Sequence, residues 1–390
     1  MENLQNPATQ ALARRSDATA HRVFGDLLRA AGVELGGRRP WDLRLLDDSV
    51  PQRVLAQGSL GLGEAYMDGH WACDSLDALF DRLLRARLDQ RVRSPGTLLH
   101  HWRARLLNLQ SEARAWQVGH QHYDLGNDFY AAMLDRRMTY TCAFWQDSST
   151  LDAAQEHKLD LVCRKLGLQP GMRVLDIGCG WGSFMQFAAE RHGVRCVGVT
   201  VSAAQAELGR QRCAGLPVEF RLADYRTLVG SGERFDRIVS LGMFEHVGRK
   251  NHGTYMDVAL RCLADDGLFL LHTIGRNEAG HGTDPWIHKY VFPNGELPTV
   301  ADIGRACERR FVVEDLHNFG ADYDRTLLAW HARFDAAWPR FAERLGLRFQ
   351  RQWRYYLLSC AGAFRARDIQ LWQWVLSRPG RSGVYPRLAG

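Results

Sequence analysis

A chain of 390 residues with 46% hydrophobic and 24% charged residues has the balance of a water-soluble globular protein and room for more than one domain. It has no run of about 18 apolar residues, which excludes a membrane-spanning helix, and its first fifteen residues lack the apolar core of a secretory signal, so a cytoplasmic protein is expected. The net charge of +6 is carried almost wholly by arginine, since only Lys158, Lys165, Lys250 and Lys289 are lysines.

Residues 1–115 read as a mostly helical N-terminal domain. Phe24, Leu27, Leu28 and then Leu43, Leu45, Leu46 form short apolar clusters broken by Gly36-Gly37 and Pro40. Leu76–Leu88 carries apolar residues at helical spacing, with Arg and Asp on the other face. Ser94-Pro95-Gly96 is a breaker, and a second basic helix is predicted over 98–109. Eight arginines fall between Arg82 and Arg114, and nine arginines against two acids fall between Phe341 and Gly390. Basic segments interleaved with Leu and Trp suit an anionic membrane surface, nucleic acid, or a plain solvated helix face.

The pattern changes near residue 116, where a second domain, 116–390, is placed. Strands are predicted at Val174–Ile177, Arg195–Val199, Val218–Leu222, Phe235–Leu241 and Gly267–Thr273. Helices lie between them, one capped by Ser202. Apolar strands alternating with helices predict an α/β fold of Rossmann type, with a parallel sheet covered on both faces. Ligands of such sheets bind beyond the carboxyl ends of the strands. The nine cysteines (Cys73, Cys142, Cys163, Cys179, Cys196, Cys213, Cys262, Cys307, Cys360) form no C-x-x-C pair, which argues against a disulfide framework and a structural zinc site.

Asp176-Ile177-Gly178-Cys179-Gly180-Trp181-Gly182 lies where the first strand of this domain turns into a helix. Glycine there lets the backbone approach a ligand closely. The spacing is G-x-G-x-G rather than the G-x-G-x-x-G of a dinucleotide fold. A carboxylate two residues before the first glycine suits S-adenosylmethionine, which carries an ammonium and a sulfonium; Asp176 would repel a pyrophosphate. Asp224, after the third strand, is either placed to accept from an adenine amino group or a plain surface acid. The second strand ends in Val199-Thr200-Val201-Ser202 without an acid, so Thr200 and Gln205 stand in for the carboxylate that commonly grips the ribose.

Longer motifs carry a resemblance. His122–Asp128 (HYDLGND), Tyr140–Trp145 (YTCAFW), Gly242–Gly248 (GMFEHVG), Leu271–Gly275 (LHTIG), Asp284–Ile287 (DPWI), Asn318–Tyr323 (NFGADY) and Cys360–Asp368 (CAGAFRARD), with Gly63–Gly69 (GEAYMDG), resemble the cyclopropane-fatty-acyl-phospholipid synthases and the related mycolic acid cyclopropane synthases. The resemblance runs over about 55–378. Thr141 stands where Ser is more usual, and both offer a hydroxyl.

The resemblance implies a methylene transfer from S-adenosylmethionine to a cis alkene of an unsaturated phospholipid. Bound bicarbonate would be the base, held by Cys142, Glu245, His272, Tyr323 and the backbone of Ile274. Such a site must stabilise a cation and exclude water. On the residues alone, Glu245 lies in an apolar setting that would raise its pKa, and His272 and Tyr323 are either site residues or satisfied core residues. Tyr140 and Thr141 are expected at the cofactor with Gly178, Gly180 and Gly182. His122, Tyr123 and Asp128 are expected to line or close its pocket. Cys360, in a run of small residues, is either a site residue or a device for close helix packing. The stretch from Trp286 to Pro293 is an acyl-channel wall or ordinary core. The basic segments are expected to dock on an anionic membrane without nucleic acid as partner, and the N-terminal domain is expected to support a homodimer. Alternative readings are a methyl-branched or methylene product, a methyltransferase acting on a hydroxyl or amine, and a non-catalytic lipid-binding protein; the last is disfavoured by the intact Asp176, glycines and Glu245.

Overall fold

Packing divides the chain into two units. The computed structural model describes residues 7–88, 125–278 and 282–386; the helix predicted over 98–109 and the His122-Tyr123-Asp124 triplet lie outside them. One unit comprises Met1–Leu106, Asp284–Val291 and Trp338–Asp368, and the other comprises Leu107–Thr283, Phe292–Ala337 and Ile369–Gly390. The single boundary expected near residue 115 therefore captures only part of the division, because two later segments fold with the N-terminal residues.

The first unit shows why those segments are recruited. Asp284 caps the short helix Pro285–Tyr290 by accepting from the Trp286 and Ile287 amides. Trp286 is fully buried against the helix Ser59–Met67: a Cβ at Gly63 would lie 2.6 Å from its indole nitrogen, which itself donates to Met67 Sδ at 3.3 Å. Glu64 accepts from Lys289 Nζ at 2.7 Å, the Tyr290 hydroxyl at 2.8 Å and Arg53 at 3.0 Å. The helix Ala342–Arg365 packs on Leu76–Arg85, whose Leu76, Leu79 and Leu83 are buried. At Gly362 the approach leaves no room for a side chain, since a Cβ would meet the Asp77 carbonyl oxygen at 2.6 Å. The run Cys360–Ala363 thus has a packing role. Several arginines of the basic C-terminal stretch are engaged inside this unit: Arg348 with Asp68, Arg351 with the Tyr66 and Trp71 carbonyls, and Arg365 with Asp77.

The second unit is a layered α/β structure. Its helices and strands, in chain order, are α1 (Asn127–Met133), α2 (Leu151–Leu166), β1 (Arg173–Ile177), α3 (Ser183–His192), β2 (Arg195–Thr200), α4 (Ala203–Arg212), β3 (Val218–Leu222), β4 (Phe235–Leu241), α5 (His252–Cys262), β5 (Leu263–Arg276), α6 (Val300–Cys307), β6 (Val312–Asn318), α7 (Gly320–Ala337) and β7 (Ile369–Ser377). Thr150 caps α2 and Ser202 caps α4, each accepting from a backbone amide three residues on. The strand order is β3-β2-β1-β4-β5-β7-β6. Alternate residues of β1 feed opposite faces: Leu175 and Ile177 pack with Tyr255, Met256 and Ile303, and Val174 packs with Leu159 and Phe184.

The sheet is not wholly parallel, as the sequence pattern suggested. β1 to β5 pair in parallel, but β7 runs antiparallel to both β5 and β6. It enters between them, and its Leu371, Trp372, Trp374, Val375 and Leu376 are all buried. The order reverses direction at β1 and β4, the switch point beside which such sheets open a ligand crevice. Among the described residues, no helix is long and apolar enough to cross a membrane.

Candidate functional site

Of the polar residues picked out from the sequence in the second unit, Asp176, Thr200, Asp224, Glu245 and His272 lie at or just beyond the carboxyl ends of β1, β2, β3, β4 and β5. The turn after β1 depends on its glycines. Gly178 has φ +89, and a Cβ there would lie 2.8 Å from Met243 Cβ; Gly182, at φ +80, opens α3, and a Cβ would strike the Phe220 ring. Gly180, at φ +54, faces the Gln205 side chain. Trp181 donates to Asn127 Oδ1 at 2.9 Å, tying the turn to α1.

Asp176, the penultimate residue of β1, is 2% exposed and its Oδ1 has no hydrogen-bond partner among the described residues. Burial pushes its carboxyl up to about 7, opposed by the charge of Lys158. At the end of β2, Thr200 Oγ1 donates to Gln205 Oε1 at 3.2 Å, so these two residues act as one polar pair. Asp224 is buried rather than a surface acid. It accepts from the Arg226 amide at 2.9 Å and its guanidinium at 2.8 Å, capping the short 3₁₀ turn Tyr225–Ser231.

Beyond β4 and β5, Glu245 accepts from the Ile274 amide at 2.6 Å through Oε1, while Oε2 has no partner among the described residues. The Ile274 N–H is thus already engaged by Glu245. Burial pushes the Glu245 carboxyl up to about 7. His272 pairs in register with Leu241 of β4, and burial holds its imidazole neutral, well below its ordinary value. Its Nδ1 accepts from Gln373 Nε2 at 3.3 Å, which leaves the proton on Nε2, an atom without a partner. Phe319 stands edge-on to His272 at 5.7 Å and to Phe144 at 5.6 Å.

The segment Tyr140-Thr141-Cys142 closes on these strand ends. The Thr141 methyl fills the space that a Cβ at Gly242 would need, at 2.9 Å. Tyr140 sits in an aromatic cluster with Tyr130 and Trp330, at 5.4 Å and 5.1 Å. The buried Cys142 thiol donates to the Ala143 carbonyl at 3.2 Å and faces Thr326 Oγ1 at 4.0 Å. Burial raises it well above the usual thiol range, so it stays protonated. Tyr323 is buried on α7, one turn before Thr326, and edge-on to Trp330. Cys360 belongs to the first unit, whereas every other candidate belongs to the second; its thiol is pushed up to about 12 by burial.

Gln155, Lys158, Thr326 and Gln373 reach the site without having been read from the sequence. Their one shared signal is weak: Gln155 and Lys158 are three residues apart on one face of α2, and lysine is scarce in this chain.

This set suits two ligands of opposite charge. A buried carboxylate oxygen without a donor, at the mouth of a glycine turn, fits a cation such as the ammonium of S-adenosylmethionine. A half-protonated Glu245 and the Nε2–H of a neutral His272 are donors that fit a small anion.

Comparisons with known proteins bear on the first of these ligands. The mycolic acid cyclopropane synthetase family matches residues 110–374. The cyclopropane-fatty-acyl-phospholipid synthase of Escherichia coli K12 is 52% identical over 94% of this chain and 96% of its own length. A probable fatty acid methyltransferase of Pseudomonas putida is 38% identical over 67% of this chain and 69% of its own. Among solved structures, the mycolic acid cyclopropane synthase CmaA1 complexed with SAH and CTAB aligns with TM-score 0.63 and 33% identity, over 67% of this chain and 98% of that one.

Proposed function

The chain belongs to the mycolic acid cyclopropane synthetase family, and from that premise we propose that it builds a cyclopropane ring across the cis double bond of an unsaturated phospholipid acyl chain. The donor is S-adenosylmethionine and the base is bound bicarbonate. The observation that carries this reading is the trio of buried polar atoms that find no partner among the described residues: Asp176 Oδ1, Glu245 Oε2 and His272 Nε2. Near-full-length similarity to a phospholipid-acting synthase supports the substrate class.

When bound, the sulfonium offers an electrophilic methyl group and bicarbonate a weak base for the proton that methyl must lose before the ring closes. Asp176, as a carboxylate, holds the donor's ammonium. Thr200 with Gln205 serves the ribose, and Asp224 the adenine. Glu245 in its protonated form, His272 through Nε2–H and the Tyr323 hydroxyl hold the anion. Phe144 and Phe319 offer aromatic faces that stabilise positive charge on the acyl chain without trapping it. The Cys142 thiol, kept protonated, offers no thiolate that would capture the cation. Its contribution to the anion site is the position of its segment rather than its sulfur.

The test is incubation of the purified protein with S-adenosylmethionine and a monounsaturated phospholipid. A gain of one CH₂ per acyl chain, with the upfield proton signals of a cyclopropane, is expected; no mass gain overturns the reading. The similarity to a fatty acid methyltransferase favours one second reading, a methylene-branched product, which has the same mass but shows olefinic protons instead. Removing bicarbonate should slow turnover and adding it back should restore the rate. The acyl chain has to be drawn from a bilayer. With Arg348, Arg351 and Arg365 engaged internally, the docking role passes mainly to the arginine-rich stretch 82–114, most of which lies outside the described residues. Binding to anionic vesicles should weaken as salt rises.

A further inference from the structure

Lys158 is fully buried on α2, in the same unit as the candidate site. A buried lysine is costly unless its charge has a use. Its Nζ donates to Thr141 Oγ1 at 2.9 Å. One helical turn earlier, Gln155 Nε2 donates to the Thr141 carbonyl at 2.8 Å and lies 3.4 Å from the Thr139 carbonyl. At the start of the same helix the Ala154 carbonyl accepts from the Phe144 amide at 3.0 Å. Three positions on α2 therefore grip the segment 139–144. Thr141 in turn is wedged against Gly242 at the end of β4.

We propose that Lys158 is a positioning residue for the donor site: with Gln155 it clamps the Tyr140-Thr141-Cys142 segment, and its buried ammonium is the countercharge of Asp176. This rests on the reading of Asp176 as the S-adenosylmethionine carboxylate.

The electrostatic surroundings support the assignment. Asp176 is faced by Lys158 from α2, Cys179 from the glycine turn, Cys196 from β2 and Tyr255 from α5. Burial raises both thiols and the phenol, so they stay neutral and Lys158 is the cation acting on Asp176. Lys158 itself faces Asp135, Cys142, Asp176 and His272. Asp135 is occupied by the amides of Arg137 and Thr139 at 2.9 Å and 2.7 Å. Burial lowers Lys158 to about 8, so it still carries most of its charge at neutral pH.

The experiment measures SAH affinity by calorimetry from pH 6 to 9 in the wild type, Lys158→Met, Lys158→Gln, Gln155→Leu and Asp176→Asn. Losing the lysine charge should move the pH midpoint of binding upward by about one unit, giving roughly fivefold weaker binding at pH 7 that recovers toward pH 9. Lys158→Gln retains a donor for Thr141 and should show the same displacement, so the test survives if the methionine variant fails to fold. Gln155→Leu should weaken binding evenly without moving the midpoint, as a purely structural clamp would. A wild-type midpoint in a folded Lys158 variant overturns the proposal. A wild type that does not bind SAH, or an Asp176→Asn variant that binds equally well, overturns the donor-site reading instead.

Discussion

Two buried aspartates, one in each unit, have opposite fates. Asp42 of the first unit accepts from the Glu34 and Arg39 amides, each at 2.9 Å, and from the Arg39 guanidinium, which holds its carboxyl down at about 2. Asp176 of the second is just as inaccessible, yet its Oδ1 meets no donor and its carboxyl rises to about 7. Two glutamates repeat the contrast. Glu64 takes three donors and falls below its ordinary value, whereas Glu245 takes the Ile274 amide, keeps one oxygen unmatched and rises to about 7. Burial alone does not decide a carboxylate's charge; the donors around it do. The first unit uses its acids to hold structure together. The second also completes some acids, as at Asp302, but leaves Asp176 and Glu245 incomplete, and an incomplete buried group awaits a ligand.

The sharpest way to break this comparison is Asp176→Asn. SAH binding and turnover should fall by a factor of about 10²–10³, the usual result of removing one partner of a buried charge pair. The same variant, free of ligand, should unfold at a higher temperature than wild type at pH 8, because an asparagine has no charge to bury. A loss of both binding and stability would make Asp176 a structural acid like Asp42. Glu245→Ala should come next: it removes the donor to the anion, and kcat should drop about a hundredfold with SAH affinity little changed.

Much of this was legible in the sequence, and the failures have physical causes. β1 to β5 and the Asp176–Gly182 turn are local patterns, so their apolar runs and glycine spacing were enough. Ser202 as a cap needed only the neighbouring residues. β7 was missed because it follows a helix of the other unit and joins the sheet between strands that precede it in the chain. The recruitment of Pro285–Tyr290 rests on Glu64, 226 residues from Tyr290, and no window along the chain spans that distance. Lys158 and Gln373 were invisible for a similar reason: their meaning lies in Thr141, Asp176 and His272, which only packing brings near. The motif at Gly63–Gly69, read within the family resemblance, proves to be a seat for Trp286.

Smaller effects refine the contrast. Asp42→Ala should cost about 3 kcal/mol of stability by stranding Arg39 and two amides, while kcat in the folded fraction stays unchanged. The pH dependence of ligand-free stability follows from the signs. Asp176 and Glu245 sit near 7 when folded against about 4 when unfolded, so stability declines as pH rises from about 4 to 7 and levels off above. Asp42 works the other way: its contribution is complete above about pH 4 and is lost as pH falls through about 2. Chemical denaturation across this range should show a decline between about pH 4 and 7 that Asp176→Asn partly removes.

The smallest effects are expected at the two cysteines, and they bear on which unit does the chemistry. Cys142→Ser places a hydroxyl where the thiol now faces the Ala143 carbonyl and Thr326. Both partners suit an O–H, so the segment should hold its course and turnover should change by no more than a few-fold. Cys360→Ser sits in a helix packed against Leu76–Arg85, in the unit without Glu245 and His272. It should lower the melting temperature slightly and leave kcat at the wild-type level. A hundredfold loss at Cys142 with normal folding would bring the sulfur itself into the anion site. The same loss at Cys360 would mean that the first unit contributes to the reaction, and the division of labour between the two buried aspartates would no longer describe the enzyme.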